Sequence, residues 1–401
     1  MKIAIVGASG FVGSALAESL WQSDPGSVVP LIHRSGNAWQ LARHGMPLRC
    51  ADVLNKAELR GALEGCTHLV NCFRAGGDVM VRGLANLIDA ARAAGIQRLV
   101  HISSVAVYGP RFDGGTIDEQ CPKRAEPGSY GAMKEQCDRM IAKAARRGLP
   151  AVVLCPPNVS GVNSPFLLAL VEHLRSGKGA IIDAELPCEL VDVQNLVHAI
   201  RLALDGGPAD GSRVFVTDQE SRLTWRDLIE QLAEAALIDL PLPVISSAAA
   251  ETVLRASRRP QASFTRAIRR LFAADVRKAL RQDPMWQSAI DAVARLSKRM
   301  PARMRGRMNG APTLARGPSA NRPSYAATVL EQQLRNVRYS NARAIKELGY
   351  RPPISGEQSL SGFRHWLDRQ FGWRGPMGDL VLTALAVGRD GLPPLGNSAL
   401  S

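Results

Sequence analysis

The sequence predicts an α/β fold: a doubly wound parallel sheet, a smaller C-terminal substrate-binding portion and a helical basic insert. Three observations predict it. An apolar run, Ile3-Ala4-Ile5-Val6, leads straight into a glycine turn, Gly7-Ala8-Ser9-Gly10-Phe11-Val12-Gly13, and then into a helical stretch, Ser14 to Leu20. Short apolar runs of the kind buried on both faces of a parallel sheet recur at Val28–Ile32 and His68–Cys72, separated by helix-length segments. A strand beginning at Arg98 ends in two hydroxyls, Ser103-Ser104, and the pair Tyr130 and Lys134 opens a later helix.

The first turn reads as a phosphate cradle between a strand and a helix N-terminus. Gly7 allows the tight turn, Gly10 lets the backbone approach a pyrophosphate, and Gly13 lets helix and strand pack closely. Ser9, Phe11 and Val12 complete the cofactor-binding turn. The second strand, Val28–Ile32, ends in His33-Arg34-Ser35, where an NAD-binding fold would usually hold an acid for the ribose hydroxyls. No acid stands there, and Arg34 could meet a 2′-phosphate, so NADP is the expected cofactor, with NAD as the alternative. Asp52, followed by Val53, falls at the end of a third short strand, where it could reach an adenine amino group or cap the helix starting near Asn55. Cys72, at the end of the fourth strand, is expected to line the cofactor trough.

The chemistry is expected at Ser104, Tyr130 and Lys134. Arg98 to Gly109 reads as a strand that ends in two hydroxyls, and residues 110–128, rich in Pro, Gly and charge, as a loop containing Asp118-Glu119. Tyr130 and Lys134 lie one turn apart on one helix face. A phenol is a poor base at neutral pH, and an ammonium one turn away favours its phenolate. Ser104 can hydrogen-bond the substrate oxygen and hold it beside the phenol. Glu119 and Asn158 are candidate substrate contacts, each open to the alternative of a loop residue satisfied by backbone.

Composition bounds the rest. The chain has 401 residues, 46% hydrophobic and 21% charged, with no apolar stretch near the roughly 20 residues needed to span a bilayer. The N-terminus enters a strand after one Lys, so no signal peptide is expected and a cytoplasmic location is. Seven cysteines without a Cys-x-x-Cys pair read as reduced thiols, and the seven histidines show no His-x-x-x-His spacing, so no metal site is expected. Of the net charge of +14, 13 units fall in residues 251–330, which hold 17 Lys and Arg against four acids. The high charge therefore belongs to one segment and says nothing about the catalytic portion.

Taken together, the chain resembles an extended short-chain dehydrogenase/reductase of the NAD-dependent epimerase/dehydratase family. The matching pieces are the Gly7–Gly13 turn, Asp52-Val53, Ser103-Ser104 through Tyr108-Gly109, Asp118-Glu119, Tyr130-Gly131-Ala132-Met133-Lys134, Pro156 to Gly161, and Leu190-Val191-Asp192-Val193. Tyr339 to Arg343 and Glu347 to Pro352 are similar to the family's closing helix. The resemblance implies a Rossmann-type fold, a Ser104–Tyr130–Lys134 triad, and a loop including Pro157 packed on the nicotinamide. It implies redox chemistry at a secondary alcohol or ketone, first of all as a sugar-nucleotide epimerase or reductase. A membrane-peripheral hydroxysteroid-type or lipid-alcohol dehydrogenase is the alternative, and a non-catalytic nucleotide-binding scaffold a third reading. Three positions depart from the family pattern. Cys155 and Ser160 replace the common Arg and Tyr of the nicotinamide loop, Asn71-Cys72-Phe73-Arg74 replaces His-x-Ala-Ala, and Ser103-Ser104-Val105 lacks the acid expected of a dehydratase.

Residues 1–155 are thus expected to form the dinucleotide-binding domain, 156–244 and 336–371 the substrate-binding portion, 245–335 a basic helical insert and 372–401 a tail. In the insert, Phe264, Ile268, Leu271, Phe272, Val276 and Leu280 share one helical face opposite several arginines. Two readings stand for 251–330: an interfacial helix on an anionic membrane, and a helical lid packed on the substrate portion. No nucleic-acid partner is expected, because the apolar face is too strong for a purely basic stripe. The expected partner is a small-molecule substrate, and a homodimer is an open reading.

Overall fold

Continuous aliphatic runs form the centre of the sheet because both faces are covered. In the computed structural model, which describes residues 1–33, 38–218, 222–238, 241–258 and 327–371, every residue of strands β1 (Ile3–Val6) and β2 (Val28–Ile32) is buried. Strand β3 (Arg49–Cys50) is short, β4 (His68–Asn71) follows, and β5 (Arg98–Ile102) is again wholly buried. After the two-residue β6 (Thr116–Ile117) comes β7 (Ala151–Cys155), then β8 (Asn158–Ser160), β9 (Ile181–Ile182), β10 (Leu190–Asp192), β11 (Asp210–Phe215), β12 (Val244–Ile245) and β13 (Arg338–Tyr339). The seven-stranded sheet has the order β11-β7-β5-β4-β1-β2-β3, all pairs parallel. The chain order reverses between β4 and β1, and the crevice outside the carboxyl ends at that point is where such a sheet binds ligands.

The helices are α1 (Phe11–Ser23), α2 (Trp39–Ala42), α3 (Lys56–Leu63), α4 (Val79–Ala93), α5 (Tyr130–Ala145), α6 (Pro165–Arg175), α7 (Val193–Asp205), α8 (Trp225–Ala235) and α9 (Ser247–Arg258), of which α3, α4 and α5 cover one face of the sheet and α1 and α7 the other. The twofold side-chain period of the strands divides the interior into two cores. Ala4, Val6 and Leu99 face Leu84, Leu87 and Ile141 on one side. Ile3, Ile5 and Val100 face Leu16, Leu196 and Ile200 on the other. Among the described residues no helix is long and apolar enough to cross a membrane.

Three boundaries differ from the sequence expectation. First, the dinucleotide-binding domain does not close at 155, because β11 returns to pair with β7 and α7 shares the core of α1. Second, the expected insert 245–335 is too wide. The chain divides into Met1–Ala250 with Tyr325–Ser401, and Glu251–Ser324. The helix Ala327–Gln333 belongs to the first unit, where Gln333 donates to the Ala180 carbonyl at 2.9 Å and accepts from the Ile182 amide at 3.0 Å. The apolar face expected around Phe264 to Leu280 and the tail 372–401 lie outside the described residues. Third, Arg98–Gly109 is not one strand: β5 stops at Ile102 and Val105–Tyr108 form a single 3₁₀ turn capped by Ser104.

Where β10 meets α7, two carboxylates are buried together without a cation among the described residues. Asp218 accepts from the Asp192 amide and from Asn195 Nδ2, both at 2.7 Å, and Asp192 accepts from the Ser359 hydroxyl at 2.5 Å. Burial is the main cause that pushes the Asp218 carboxyl up to about 7, against the two donors that favour its anion. A carboxyl whose folded pKa is raised binds more protons in the native than in the unfolded state. It therefore contributes stability at low pH that is lost as pH rises from about 4 through about 7. Melting curves of wild type and Asp218→Asn between about pH 5 and 8 check this. The variant should show a flatter decline with rising pH, and an unchanged slope would contradict the assignment.

Candidate active site

The crevice at the reversal point is a cavity of about 1280 Å³, and its lining joins the glycine turn, the ends of β2, β4 and β5, the start of α5, α6 and the helix Ala327–Gln333. The glycine turn is shaped by backbone. Gly7 has φ +81°, and a Cβ there would stand 2.7 Å from the Phe73 Cα just past β4. A Cβ on Gly13 would run into the Gly7 carbonyl. Gly13 is therefore a packing residue that does not line the cavity, whereas Gly7, Ser9, Gly10, Phe11 and Val12 do. Gly10 caps α1 without a side chain and no acid occupies the first turn, so the free amides at the start of a 13-residue helix face the cavity.

At the far end, Asp52 and Val53 line the cavity as expected, and His33, which sequence reasoning passed over, joins them. Asp52 lies two residues beyond β3 and folds its Oδ1 onto the Leu54 amide at 2.9 Å, while the cap of α3 is Asn55. Its Oδ2 lies 3.8 Å from His33 Nε2. Arg34 lies outside the described residues. Cys72 lines the cavity, and burial pushes its thiol up to about 12, so it is packing rather than a nucleophile.

The triad residues reach the cavity from three local structures. Ser104 caps the 3₁₀ turn, its Oγ accepting from the Ala106 amide at 3.2 Å, so its hydroxyl proton is left to donate. Tyr130 is the first residue of α5, whose cap Ser129 accepts from the Ala132 amide at 3.2 Å. The next residue, Gly131, seats α5 against the 3₁₀ turn, since a Cβ there would collide with the Ala106 carbonyl. That close approach carries Tyr130 to the end of β5. Lys134 is 3% exposed and donates to the Ile102 carbonyl at 2.8 Å, with Nζ 5.9 Å from the Tyr130 ring centroid.

Behind Lys134 a buried polar chain runs across the sheet. The Asn71 amide group meets His101 Nδ1 at 2.9 Å, His101 Nε2 lies 3.9 Å from Asp138, and Arg213 Nε donates to Asp138 at 2.7 Å. Burial, with the Lys134 charge as second cause, pushes the His101 imidazole well below its ordinary value, so it is neutral.

Pro157 and Asn158 line the cavity next to Val159. Glu119 does not. Its carboxylate accepts from the Phe215 amide at 2.7 Å and its carbonyl accepts from the Tyr108 hydroxyl at 3.0 Å, so it braces β11 against the 3₁₀ turn. The expectation that it touches substrate is corrected accordingly. The substrate end instead includes Phe166 and Leu170 of α6, together with Gln332 and Arg335, whose Oε1 and Nε are buried without a hydrogen-bond partner. These last two were hidden in the stretch assigned to the insert.

Residues 3–216 match the model of the NAD dependent epimerase/dehydratase family. The chain belongs to this family. It is 30% identical over 217 residues to a 3beta-hydroxysteroid-dehydrogenase/decarboxylase of Arabidopsis thaliana, a match covering 48% of each protein. The chain thus spans about half the length of that relative. It is 29% identical over 235 residues to a UDP-glucose 4-epimerase of Streptomyces lividans, covering 50% of this chain and 69% of that one. The fold matches the solved UDP-glucose 4-epimerase of Thermotoga maritima with a TM-score of 0.63 at 15% identity, over 92% of this chain and 99% of that one. The seven-stranded parallel sheet and the family match together establish the Rossmann-type architecture expected from the glycine turn.

The cradle makes a direct prediction. Gly7→Ala forces a side chain into a left-handed backbone against Phe73, a strain of about 1–3 kcal/mol that the turn relieves by opening. NADH titrated by fluorescence should bind at least about tenfold more weakly, since tenfold is only about 1.4 kcal/mol, with a lowered melting temperature. Unchanged NADH affinity would contradict the cradle.

Proposed function

We propose that the protein is an NAD(P)-dependent oxidoreductase acting on a secondary alcohol or ketone, as an epimerase or reductase. The single observation that carries this reading is the convergence of Ser104, Tyr130 and a buried Lys134 on the cavity entered by the glycine turn. The residues fit a dinucleotide. The turn is a cradle that any Cβ would fill, the start of α1 offers free amides, and Lys134 keeps N–H donors beyond the one spent on Ile102. Gly7, Ser9, Gly10, Phe11 and Val12 would hold the pyrophosphate, Asp52 and Val53 the adenosine end, and Lys134 and Pro157 the nicotinamide end. When bound, the cofactor supplies a hydride acceptor and donor.

The chain's own residues handle the proton and the geometry. The Ser104 hydroxyl donates to the substrate oxygen and fixes it beside the phenol. Tyr130 takes the carbinol proton on its phenol oxygen in the oxidative direction and returns it in the reductive one. Lys134 holds a positive charge beside that oxygen, stabilising the anionic form while it lasts. Tyr130→Phe should lower turnover by about 10²–10⁴-fold while NADH affinity stays within about twofold of wild type, and turnover near wild type would sink the catalytic reading.

A sugar nucleotide is the first substrate class, supported by the unpartnered polar atoms of Gln332 and Arg335 in the lining of the cavity. The apolar surfaces of Phe166, Leu170 and Val329 favour the second reading, a sterol-like or lipid alcohol. NADP is the proposed cofactor on the strength of Arg34, and an NADPH affinity no better than NADH, unmoved by Arg34→Ala, would reassign it to NAD. Native mass spectrometry separates epimerase from dehydrogenase, since the former recycles its cofactor and should retain it; the same spectrum reads homodimer against monomer. A cytoplasmic protein that rests peripherally on an anionic membrane through 251–330 is the proposed setting. Because the helix Ala327–Gln333 lines the cavity, the deletion that tests this should be confined to 259–322. Wild type should float with phosphatidylglycerol liposomes and the deletion should not, and equal flotation would favour the lid.

A further inference from the structure

Three buried polar atoms near Lys134 have no hydrogen-bond partner in the protein: His101 Nε2, Ser103 Oγ and Asp138 Oδ1. Their residues are 2%, 4% and 2% exposed, so bulk solvent does not reach them. His101 and Ser103 are two apart at the end of β5 and leave the sheet on one face, the face that α5 covers with Asp138. His101 Nε2 and Asp138 Oδ1 stand 3.9 Å apart, too far for a hydrogen bond. Burial raises the Asp138 carboxyl and the Cys155 thiol, and the Ser103 hydroxyl is among the groups that oppose it in both, so it stands close to each. It completes a hydrogen bond with neither. The three orphaned atoms therefore surround one gap.

Neighbouring groups fix which proton faces that gap. Asn71 Oδ1 accepts from the Phe73 amide at 3.2 Å, which turns the Asn71 NH₂ group to His101 Nδ1 at 2.9 Å. An amide NH₂ only donates, so Nδ1 accepts and the ring proton sits on Nε2, on the Asp138 side. An N–H donor, a carboxylate oxygen and a hydroxyl are the set of partners that a buried water takes, and two hydrogen bonds of about 2.8 Å easily span the 3.9 Å separation. The charges nearby give the gap a consequence. Lys134 and Asp138 are four apart on α5, the spacing at which Glu135 and Arg139 of the same helix pair at 2.7 Å. Lys134 and Asp138 do not pair: the ammonium donates to the Ile102 carbonyl at 2.8 Å, and Asp138 Oδ2 accepts from Arg213 at 2.7 Å. The carboxylate oxygen left over is the one at the gap. We propose that one water is bound between His101, Asp138 and Ser103, accepting from His101 Nε2–H and donating to Asp138 Oδ1, and that by satisfying this oxygen it keeps Asp138 off Lys134. His101 is then a positioning residue for the ammonium that serves the phenol. This rests on the redox reading of Tyr130 and Lys134 and adds to it what keeps the lysine charge free.

A crystal structure of the full chain tests the water directly and needs no variant. One ordered water should lie within about 3.2 Å of all three atoms. An empty gap, or His101 bonded straight to Asp138, overturns the proposal. His101→Phe keeps a ring of similar size and removes the donor. In its crystal structure the Asp138 carboxylate should come within about 4 Å of the Lys134 ammonium. Turnover of a secondary alcohol used by wild type should fall about tenfold or more, while NADH affinity stays within about twofold. His101→Gln, whose amide carries an N–H near the Nε2 position, should return the water, the Asp138 placement and most of the turnover. Asp138 unmoved in His101→Phe overturns the proposal, as does a His101→Gln variant no better than His101→Phe. An equal loss of turnover and NADH affinity in His101→Phe overturns it too, by assigning His101 to the packing of the cofactor cradle. Failure of the redox reading looks different: the water and Asp138 behave as described, and wild type itself shows no Tyr130-dependent hydride transfer.

Discussion

The hydrogen bond from Lys134 to the Ile102 carbonyl fixes the rest of the site. An ammonium at 3% exposure must be solvated by the protein, and the acceptor it uses is the last carbonyl of β5. That single contact ties the first turn of α5 to the strand end that presents Ser104. Gly131 makes the approach short enough by giving up a side chain against the Ala106 carbonyl. Tyr130, between these two anchors, has little freedom of position, and the three residues reach the cavity as a unit.

The charge around Lys134 is balanced at a distance rather than by a direct ion pair. Asp138, one turn further along α5, is held by Arg213 of β11, and burial and the Arg213 charge act on its carboxyl in opposite directions, with burial the larger. His101 stands between Asp138 and Asn71 in neutral form and so adds no charge to the cluster. Two cations, Lys134 and Arg213, act on this one buried carboxylate, so the cluster keeps a net positive charge, with Lys134 Nζ 5.9 Å from the Tyr130 ring centroid. An ammonium neutralised by its own salt bridge would have less to offer a developing phenolate.

Much of this was legible in the sequence where local chemistry decides. The glycine turn announces itself because only glycines fit the backbone contacts at Gly7 and Gly13, and the buried strands because parallel sheets need unbroken apolar runs. Local spacing also sets the start of α8, where Thr224 and Asp227, three residues apart, form a capping box. What failed was long-range. Glu119 reads as a loop acid, and only the fold brings the Phe215 amide of β11 to it. The helix Ala327–Gln333 follows a basic stretch and looks like part of it, yet its place is set by Gln333 bridging Ala180 and Ile182, some 150 positions earlier in the chain. The 3₁₀ turn after β5 was hidden because Val105 to Tyr108 has the composition of a strand, and a capping serine overrode it.

The central claim is that the buried Lys134 is kept for chemistry and not for folding. Lys134→Met gives up the hydrogen bond to the Ile102 carbonyl but also the cost of keeping an ammonium buried, so its two effects on stability oppose each other. The decisive measurement is the rate of NAD(P)H formation by Lys134→Met on a turned-over secondary alcohol, taken beside its melting temperature. A variant that stays folded with a melting temperature close to wild type and has lost at least about a hundredfold in rate is the predicted result. Turnover within about twofold of wild type would contradict the account.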